Sequence, residues 1–177
     1  ANLNLATTGG GSSPATIEFW LNVPNQTGNN TAWRAPAVMG TEVGGCCNDG
    51  RFGYLRADGT LAGSIGNDTG VVSTFDVRDT GWHHVAFVRD ATGANIDLYI
   101  DGALDSSLVG GNTTTVTSNW AEIGRQIGGT QNAGRIVADI DELAIFNQAL
   151  TGQQIQAHFD AAFQQTVPEP STWLLFA

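Results

Sequence analysis

Three aspartates have the chemistry and the placement of metal ligands. Asp49 belongs to a glycine-rich stretch, and Asp139 and Asp141 alternate along a segment with the pattern of a β-strand. Calcium prefers oxygen ligands from loops and strand ends, so these residues predict a calcium site at the rim of the fold. In a regular strand Asp139 and Asp141 share the face of Leu143 and Ile145, and inward-pointing carboxylates need a partner. A simpler interpretation also stands, in which Asp141 only accepts a backbone hydrogen bond at a sheet edge.

Aromatic side chains are the second group suited to ligand binding, because a planar ring can stack on the apolar face of a sugar. Trp20 falls on the polar face of an alternating strand, and we expect Trp33 and Tyr54 to lie near it. These three residues are the predicted glycan-binding positions. Trp82 and Trp120 suit a hydrophobic core equally well.

Groups that could support catalysis are scattered. Hydrolysis of a glycosidic bond needs two carboxylates about 5–10 Å apart, and Glu18 and Glu122 are isolated in the sequence. His83 and His84 are consecutive residues of a predicted strand, so their rings point to opposite faces and cannot chelate one ion together. The sequence therefore predicts a protein that is not an enzyme.

Cys46 and Cys47 are the only cysteines, and they are adjacent within a glycine-rich segment. In an oxidising compartment three states compete: a disulfide between the two neighbours, a bond to another chain, and a free pair. We favour the vicinal disulfide, which would stiffen the tip of a loop, and the other two states remain open. Zinc is not expected, because the sequence has no second Cys or His pair at ligand spacing.

The charge balance excludes several classes of protein. Of 177 residues, 17 are acidic and 7 are basic, which gives a net charge of −10. All the basic residues are arginines, so chemistry that needs a lysine amine, such as a Schiff base, is impossible. Nucleic acids and anionic membrane surfaces are poor partners for so acidic a chain.

The elements that must position these residues are mostly strands. Residues 15–23 alternate strictly, with Ile17, Phe19 and Leu21 on one face. Asp58-Gly59 and Asp101-Gly102 are hairpin signals between apolar segments. Further strands are predicted at residues 52–57, 60–65, 71–77, 82–89, 95–100, 103–109, 120–125 and 135–146. This spacing predicts an all-β fold, a two-sheet antiparallel jelly-roll sandwich.

One helix is predicted near the end of the chain. Thr151 and Gln154 form a capping box, and Ile155, Phe159 and Phe163 make one apolar stripe. We expect this short C-terminal helix to pack on an edge of the sandwich. The chain is thus divided into an N-terminal strand and Gly/Ser linker (1–14), one domain (15–163) and a Pro-containing apolar tail (164–177).

Two segments resemble a known family. The segment 81–90 with 96–102 (GWHHVAFVRD and IDLYIDG) is similar to the central hairpin of laminin-G-like (LamG), concanavalin-A-like lectin and glucanase domains. Ile123-Gly124 and the segment 140–155 resemble the closing strand and helix of the same family. The resemblance implies a jelly-roll of two curved sheets, often with a rim calcium ion. It implies roles in cell adhesion and carbohydrate binding.

The end of the chain carries a second resemblance. The segment 167–177 (VPEPSTWLLFA) is similar to the start of a PEP-CTERM sorting signal. That resemblance implies export from a Gram-negative, biofilm-forming bacterium, with an extracellular or cell-surface location. A bilayer span needs about 20 apolar residues, so no membrane span is expected in the chain as given.

Two functions follow from these observations. The first is a non-catalytic structural protein of the bacterial surface or biofilm matrix, which self-assembles as a homopolymeric filament by exchange of terminal strands. The residues predicted to mediate that assembly are Leu3, Leu5, Trp173, Leu174, Leu175 and Phe176. The alternative is a calcium-dependent, lectin-like adhesion module whose partners are extracellular glycans.

Overall fold

The computed structural model describes residues 14–41, 50–65, 70–90, 95–109, 122–127 and 134–163. Within these ranges the chain forms two five-stranded sheets. Sheet A contains, in spatial order, β10 (Asp139–Phe146), β1 (Ala15–Asn22), β6 (His83–Arg89), β7 (Ile96–Ile100) and β8 (Ala103–Leu108). Sheet B contains β5 (Gly70–Asp76), β4 (Thr60–Ile65), β3 (Gly50–Leu55), β2 (Ala37–Thr41) and β9 (Arg125–Ile127). A 3-10 turn (Ala32–Arg34) and one helix, α1 (Gly152–Phe163), complete the described elements.

The predicted fold class is confirmed: two sheets, dominated by antiparallel pairs, pack as a sandwich with one short helix. One pair departs from that pattern, because β2 and β9 run parallel. The strand β2 was not predicted from the sequence. All five of its residues are buried, so the strand lacks the alternation that identifies a half-exposed strand.

Both predicted hairpin turns are present. At the turn between β7 and β8, Asp101 and Gly102 both have positive φ angles, 52° and 80°, as a two-residue turn requires when its twist matches the strands. At the turn between β3 and β4, the Asp58 carboxylate accepts hydrogen bonds from the backbone N–H and the hydroxyl of Thr60. Local turn chemistry therefore sets the register of both hairpins.

The core lies between the sheets and is filled from the predicted face of β1. Ile17, Phe19 and Leu21 are each 1% exposed. The Phe87 ring of β6 lies 6.3 Å from the ring of Phe19, centroid to centroid. Gly63 faces the same ring, and a Cβ atom there would lie 2.4 Å from Phe87. A larger residue at position 63 would therefore collide with the core.

Helix α1 begins at the predicted capping box. The Gln154 N–H donates to the Thr151 hydroxyl, and the Gln154 side-chain oxygen accepts the Thr151 N–H. The predicted packing on an edge is wrong, because α1 packs on the outer face of sheet A. Ile155 is fully buried there, in a cluster with Ala86 and Val88 of β6. The outer face of β6 is apolar at these positions and provides the area that the helix covers.

Several predictions fall outside the described residues. They concern the metal ligand Asp49, the cysteines Cys46 and Cys47, and the assembly residues Leu3, Leu5, Trp173, Leu174, Leu175 and Phe176. In the part of the chain that the structure describes, no helix has the length and apolarity needed to span a bilayer.

Candidate functional site

A groove of about 380 Å³ opens at one end of sheet A, on the face that carries α1. Its lining comes from β1, from the residue before β6, from β10 and from the last turn of α1. The six lining residues are Trp20, Trp82, Asp141, Glu142, Ala162 and Phe163. The groove thus combines aromatic rings with carboxylates, which are the two chemistries that the sequence analysis assigned to separate sites.

Trp20 is held by packing on one side. Its ring stacks on Phe159 of α1 with the centroids 5.8 Å apart, and it meets Phe163 edge-on at 6.0 Å. The His84 ring lies 5.3 Å away on the neighbouring strand. Trp20 is therefore a half-buried wall of the groove, fixed by contacts from the helix and from β6.

Trp82 and Phe163 supply exposed apolar surface, with 46% and 70% of each residue accessible to solvent. Large aromatic residues are commonly buried, so two exposed ones beside one groove form an unusual surface. Trp82 was not among the binding residues predicted from the sequence. The available signal was alternation, because counting back along β6 puts Trp82 on the face of His84, opposite the core residues Val85 and Phe87.

A β-bulge in β10 decides where the carboxylates point. Glu18 pairs with Ala144, whereas Trp20 pairs with Asp141, so β10 has one more residue than β1 across this step. Glu142 has a φ angle of 49° in the left-handed region, which is typical of a bulge that turns a side chain towards a site. Asp141 is thereby placed directly opposite Trp20.

The bulge overturns one expectation about Asp139 and Asp141. We expected them to share a face with Leu143 and Ile145, but both aspartates are exposed, while Ile140, Leu143 and Ile145 pack against the core. A one-residue insertion reverses the faces of a strand because its side chains alternate. The two carboxylates therefore point away from the core and need no buried partner.

Asp139 and Asp141 are the predicted calcium ligands that lie within the described residues. Asp141 accepts a hydrogen bond from the Glu142 N–H at 2.8 Å, as in the simpler interpretation. Calcium takes six to eight oxygen ligands, and no group of three or more metal-ligating side chains occurs in the described ranges. Asp139 and Asp141 alone do not make a calcium site, and calcium binding stays a prediction.

A buried carboxylate attaches α1 to the sheet beside the groove. The two oxygens of Glu18 lie 3.0 and 3.1 Å from Nδ1 of His158 on α1. His84 Nε2 lies 3.9 Å from the same carboxylate. Burial lowers the pKa of His84, and the charge of Glu18 opposes that effect only in part. His84 therefore favours the neutral form, and the Glu18–His158 contact positions the helix.

His83 points to the opposite face from His84, as predicted. Its Nδ1 lies 2.9 Å from the Asp101 carboxylate and its Nε2 lies 3.1 Å from Asp79. The hydrogen bond to Asp101 raises the pKa of His83, although burial acts against it. His83 thus joins the start of β6 to the β7–β8 turn, and it lies apart from the groove.

The other predicted binding residues lie elsewhere, Tyr54 in β3 of sheet B and Trp33 in the 3-10 turn that precedes β2. Tyr54 is 4% exposed and packs with Ala32 and Ala37, so its ring offers no free face for stacking. Trp33 is half-buried in the 3-10 turn. The structure therefore does not bring either residue into the groove that contains Trp20.

The two isolated glutamates also lie apart. Glu18 is on the outer face of β1, while Glu122 precedes β9 of sheet B and forms an ion pair with Arg125. Each is held by its own basic partner. The structure does not bring them together as a catalytic pair.

Solved structures with the same fold share little sequence with this chain. The binding domain of Paraclostridial Mosquitocidal Protein 1 is 18% identical, with a TM-score of 0.64 over 86% of this chain and 38% of that chain. The Ruminococcus gnavus IT-sialidase CBM40 is 12% identical, with a TM-score of 0.67 over 84% of both chains.

A third similar structure, from a study of botulinum neurotoxin type C and its interaction with two ganglioside molecules, is 18% identical. Its TM-score is 0.56, over 84% of this chain and 36% of that chain. The chain therefore spans less than two fifths of the toxin chains, and at these identities the similarity shows the fold alone.

A search of curated proteins gave no match. A family profile described as "Concanavalin A-like lectin/glucanases superfamily" (Laminin_G_3) matches residues 1–156. That match covers most of the chain and agrees with the two-sheet sandwich and with the hairpin and closing segments that first suggested the resemblance. The chain belongs to the Laminin_G_3 family of concanavalin A-like lectin and glucanase domains.

Proposed function

We propose that this protein is a non-catalytic, extracellular glycan-binding module that holds its ligand in the groove at the end of sheet A. The observation that carries the proposal is the pairing of exposed aromatic rings, Trp82 and Phe163, with the carboxylates of Asp141 and Glu142 in one groove. Rings stack on the apolar faces of sugars, and a few placed polar groups bind the hydroxyls.

The similar structures support this proposal by fold-level analogy. One of them is a CBM40 structure described as bound to alpha2,3 sialyllactose. Another comes from a study in which cell entry of botulinum neurotoxin type C depends on interaction with two ganglioside molecules. Those ligands belong to those proteins. They support a glycan as the class of ligand here, and they leave its identity open.

One wall of the groove, the Trp20 ring, is held in place by its neighbours. Trp20 is clamped by Phe159 and by His84, so one wall is preorganised before a ligand arrives. Preorganised rings lose little side-chain entropy on binding. This arrangement favours a stacking site over a site that must close around its ligand.

The decisive test compares Trp82, which lines the groove, with Trp33, which does not. Trp82→Ala is expected to abolish binding on a glycan array and by titration calorimetry, because it removes the exposed ring from the groove. Trp33→Ala is the matched control and should bind as the wild type does. If Trp33→Ala loses binding and Trp82→Ala retains it, the groove is not the site.

Hydrolysis and calcium are tested in the same samples. We predict no cleavage of any oligosaccharide that binds, and appearance of shorter products would replace the binding role with an enzymatic one. Measuring binding with and without a calcium chelator tests the calcium prediction. Loss of binding in chelator, restored by added calcium, would confirm calcium dependence, and unchanged binding would refute it.

Self-assembly into a surface or matrix filament is the second candidate, and its predicted residues lie outside the described ranges. Two features of the described edges favour the glycan-binding role instead. β10 carries a bulge and three exposed carboxylates, and the Thr74 N–H of β5 donates to the Asp105 carboxylate of β8. Bulges, charges and covered N–H groups are the devices that discourage strand addition.

Size measurement by light scattering tests the filament directly. A homopolymer that disappears when residues 1–6 are deleted would support strand exchange. A monomer in both samples would rule it out.

A further inference from the structure

We propose that the groove selects sugars that carry a protonated amino group and rejects anionic sugars. This inference rests on the proposed glycan-binding function and concerns the charge of the ligand. Of the six residues that line the groove, Asp141 and Glu142 are acidic and none is basic. An ammonium group on a sugar would be attracted to both carboxylates, whereas a sugar carboxylate would be repelled.

None of the seven arginines of the chain lines this groove. Six of the seven lie in or beside the segments of sheet B, at Arg34, Arg51, Arg56, Arg78, Arg125 and Arg135. The seventh, Arg89, is the last residue of β6, at the other end of the strand from Trp82. Trp82 and Arg89 are seven residues apart, which is roughly 23 Å of extended chain, so Arg89 lies far from the groove carboxylates.

His84 does not supply the missing positive charge, because burial lowers its pKa. His158 faces the Glu18 carboxylate and is not among the residues that line the groove. The carboxyl end of α1 also reaches the groove at Phe163, and that end of a helix carries partial negative charge. The carboxylates of β10 and the carboxyl end of α1 thus both contribute negative electrostatic potential to the groove.

The aromatic lining adds to this selectivity. A cation over an indole or phenyl face is attracted by the negative charge of the ring face, most strongly with tryptophan. Trp82 and Phe163 expose such faces beside the two carboxylates. A glucosamine unit offers an apolar face for stacking and an ammonium group for the acids, so it satisfies both parts of the lining.

The bulge gives this arrangement a structural origin. Glu142 adopts a left-handed backbone, which non-glycine residues seldom adopt, and the extra residue turns Asp141 towards Trp20. Without the bulge, alternation would direct one of these carboxylates to the core. The strand thus places two adjacent acids outward at the groove.

The test uses three oligosaccharide probes with the intact protein at pH 6 and low salt. The probes are a glucosamine tetramer, an N-acetylglucosamine tetramer and sialyllactose, with affinities measured by calorimetry. We expect the glucosamine tetramer to bind about tenfold more tightly than the acetylated one, since tenfold corresponds to one charge-assisted contact. We expect sialyllactose not to bind, and added salt to reduce the preference.

Two double variants separate charge from shape. Asp141→Asn with Glu142→Gln keeps the shape of the lining and should remove most of the preference, leaving only the smaller contribution of the ring faces and the helix end. Asp97→Asn with Asp105→Asn removes the same charge from β7 and β8 and should leave the preference intact.

The outcomes distinguish this inference from the proposed function. Equal binding of the two tetramers by the wild type, or binding of sialyllactose, with Trp82→Ala still abolishing binding, overturns the amino-sugar preference and leaves the glycan-binding function standing. If no probe or array glycan binds in a Trp82-dependent manner, the glycan-binding function itself fails. A preference that survives undiminished in the Asp141→Asn, Glu142→Gln variant also overturns the inference.

Discussion

The two faces of β1 serve different purposes within the same eight residues. The inner face presents Ile17, Phe19 and Leu21 to the core, where each is almost completely buried. On the outer face, Thr16 bonds the segment that leads into α1, and Glu18 contacts His158 of the helix. Trp20 packs against the helix and forms a wall of the groove. The inner face acts through apolar area, while the outer face acts through specific polar contacts that position a helix and a site.

The largest expected effect lies on the inner face. Phe19→Ala should lower the free energy of unfolding by about 3–5 kcal/mol, because it leaves a cavity beside Phe87 in a packed core. Urea denaturation measures this change. The exposed Trp82→Ala should change stability by only about 0.5 kcal/mol. Equal losses in the two variants would contradict the division between core and groove.

A single hydroxyl on the outer face should give the next effect. Thr16 Oγ1 donates to the Gln148 carbonyl at 2.9 Å and accepts the Leu150 N–H at 2.9 Å, within the chain that leads into α1. Thr16→Val keeps the shape but leaves both backbone groups without that partner, at a cost of about 1–3 kcal/mol. The same change at the exposed Thr27 should cost less than about 0.5 kcal/mol, and a similar cost at both sites would refute this role.

The bulge in β10 predicts a smaller effect of opposite sign. Glu142→Gly relieves a left-handed backbone and should raise the free energy of unfolding by up to about 1 kcal/mol. Ala144→Gly, at a regular position opposite Glu18, should lower it by about 0.5–1 kcal/mol. Thermal melting of the two variants shows whether the signs differ, and a loss in both would mean that the bulge is not strained.

The two adjacent histidines should respond to pH in opposite directions. The pKa of His83 is raised above its ordinary value of 6.5, so its stabilising contribution is complete below pH 6.5 and is lost as the pH rises through the folded pKa. The pKa of His84 is lowered, so stability is complete above pH 6.5 and falls as the pH drops towards the folded pKa.

Denaturation of variants at several pH values measures these contributions. The stability lost in His83→Gln should be greater at pH 5.5 than at pH 8.5. The stability lost in His84→Gln should be smaller at pH 5.5 than at pH 8.5. Parallel profiles for the two variants would contradict the separate environments of the two rings.

Much of the fold was predictable because its signals are local. The alternation of β1, the two Asp-Gly turns and the capping box at Thr151 each depend on residues a few positions apart. Strand β2 was not predicted, because burial on both faces removes the alternation of apolar and polar residues. The packing of α1 was not predicted correctly, because it depends on Ala86 and Val88, which are far from the helix in the sequence.

The groove shows the same division. The sequence alone identified Trp20 as an aromatic on a polar face and Asp141 as a carboxylate suited to ligand binding, because residue type and alternation are local properties. Only the tertiary structure decided that the two belong to one site with Trp82, and that Tyr54 lies beneath the 3-10 turn of the other sheet. The physical reason is the pairing of β1 with β10, in which one extra residue at Glu142 reverses the face of a strand and cannot be recognised until the partner strand is known.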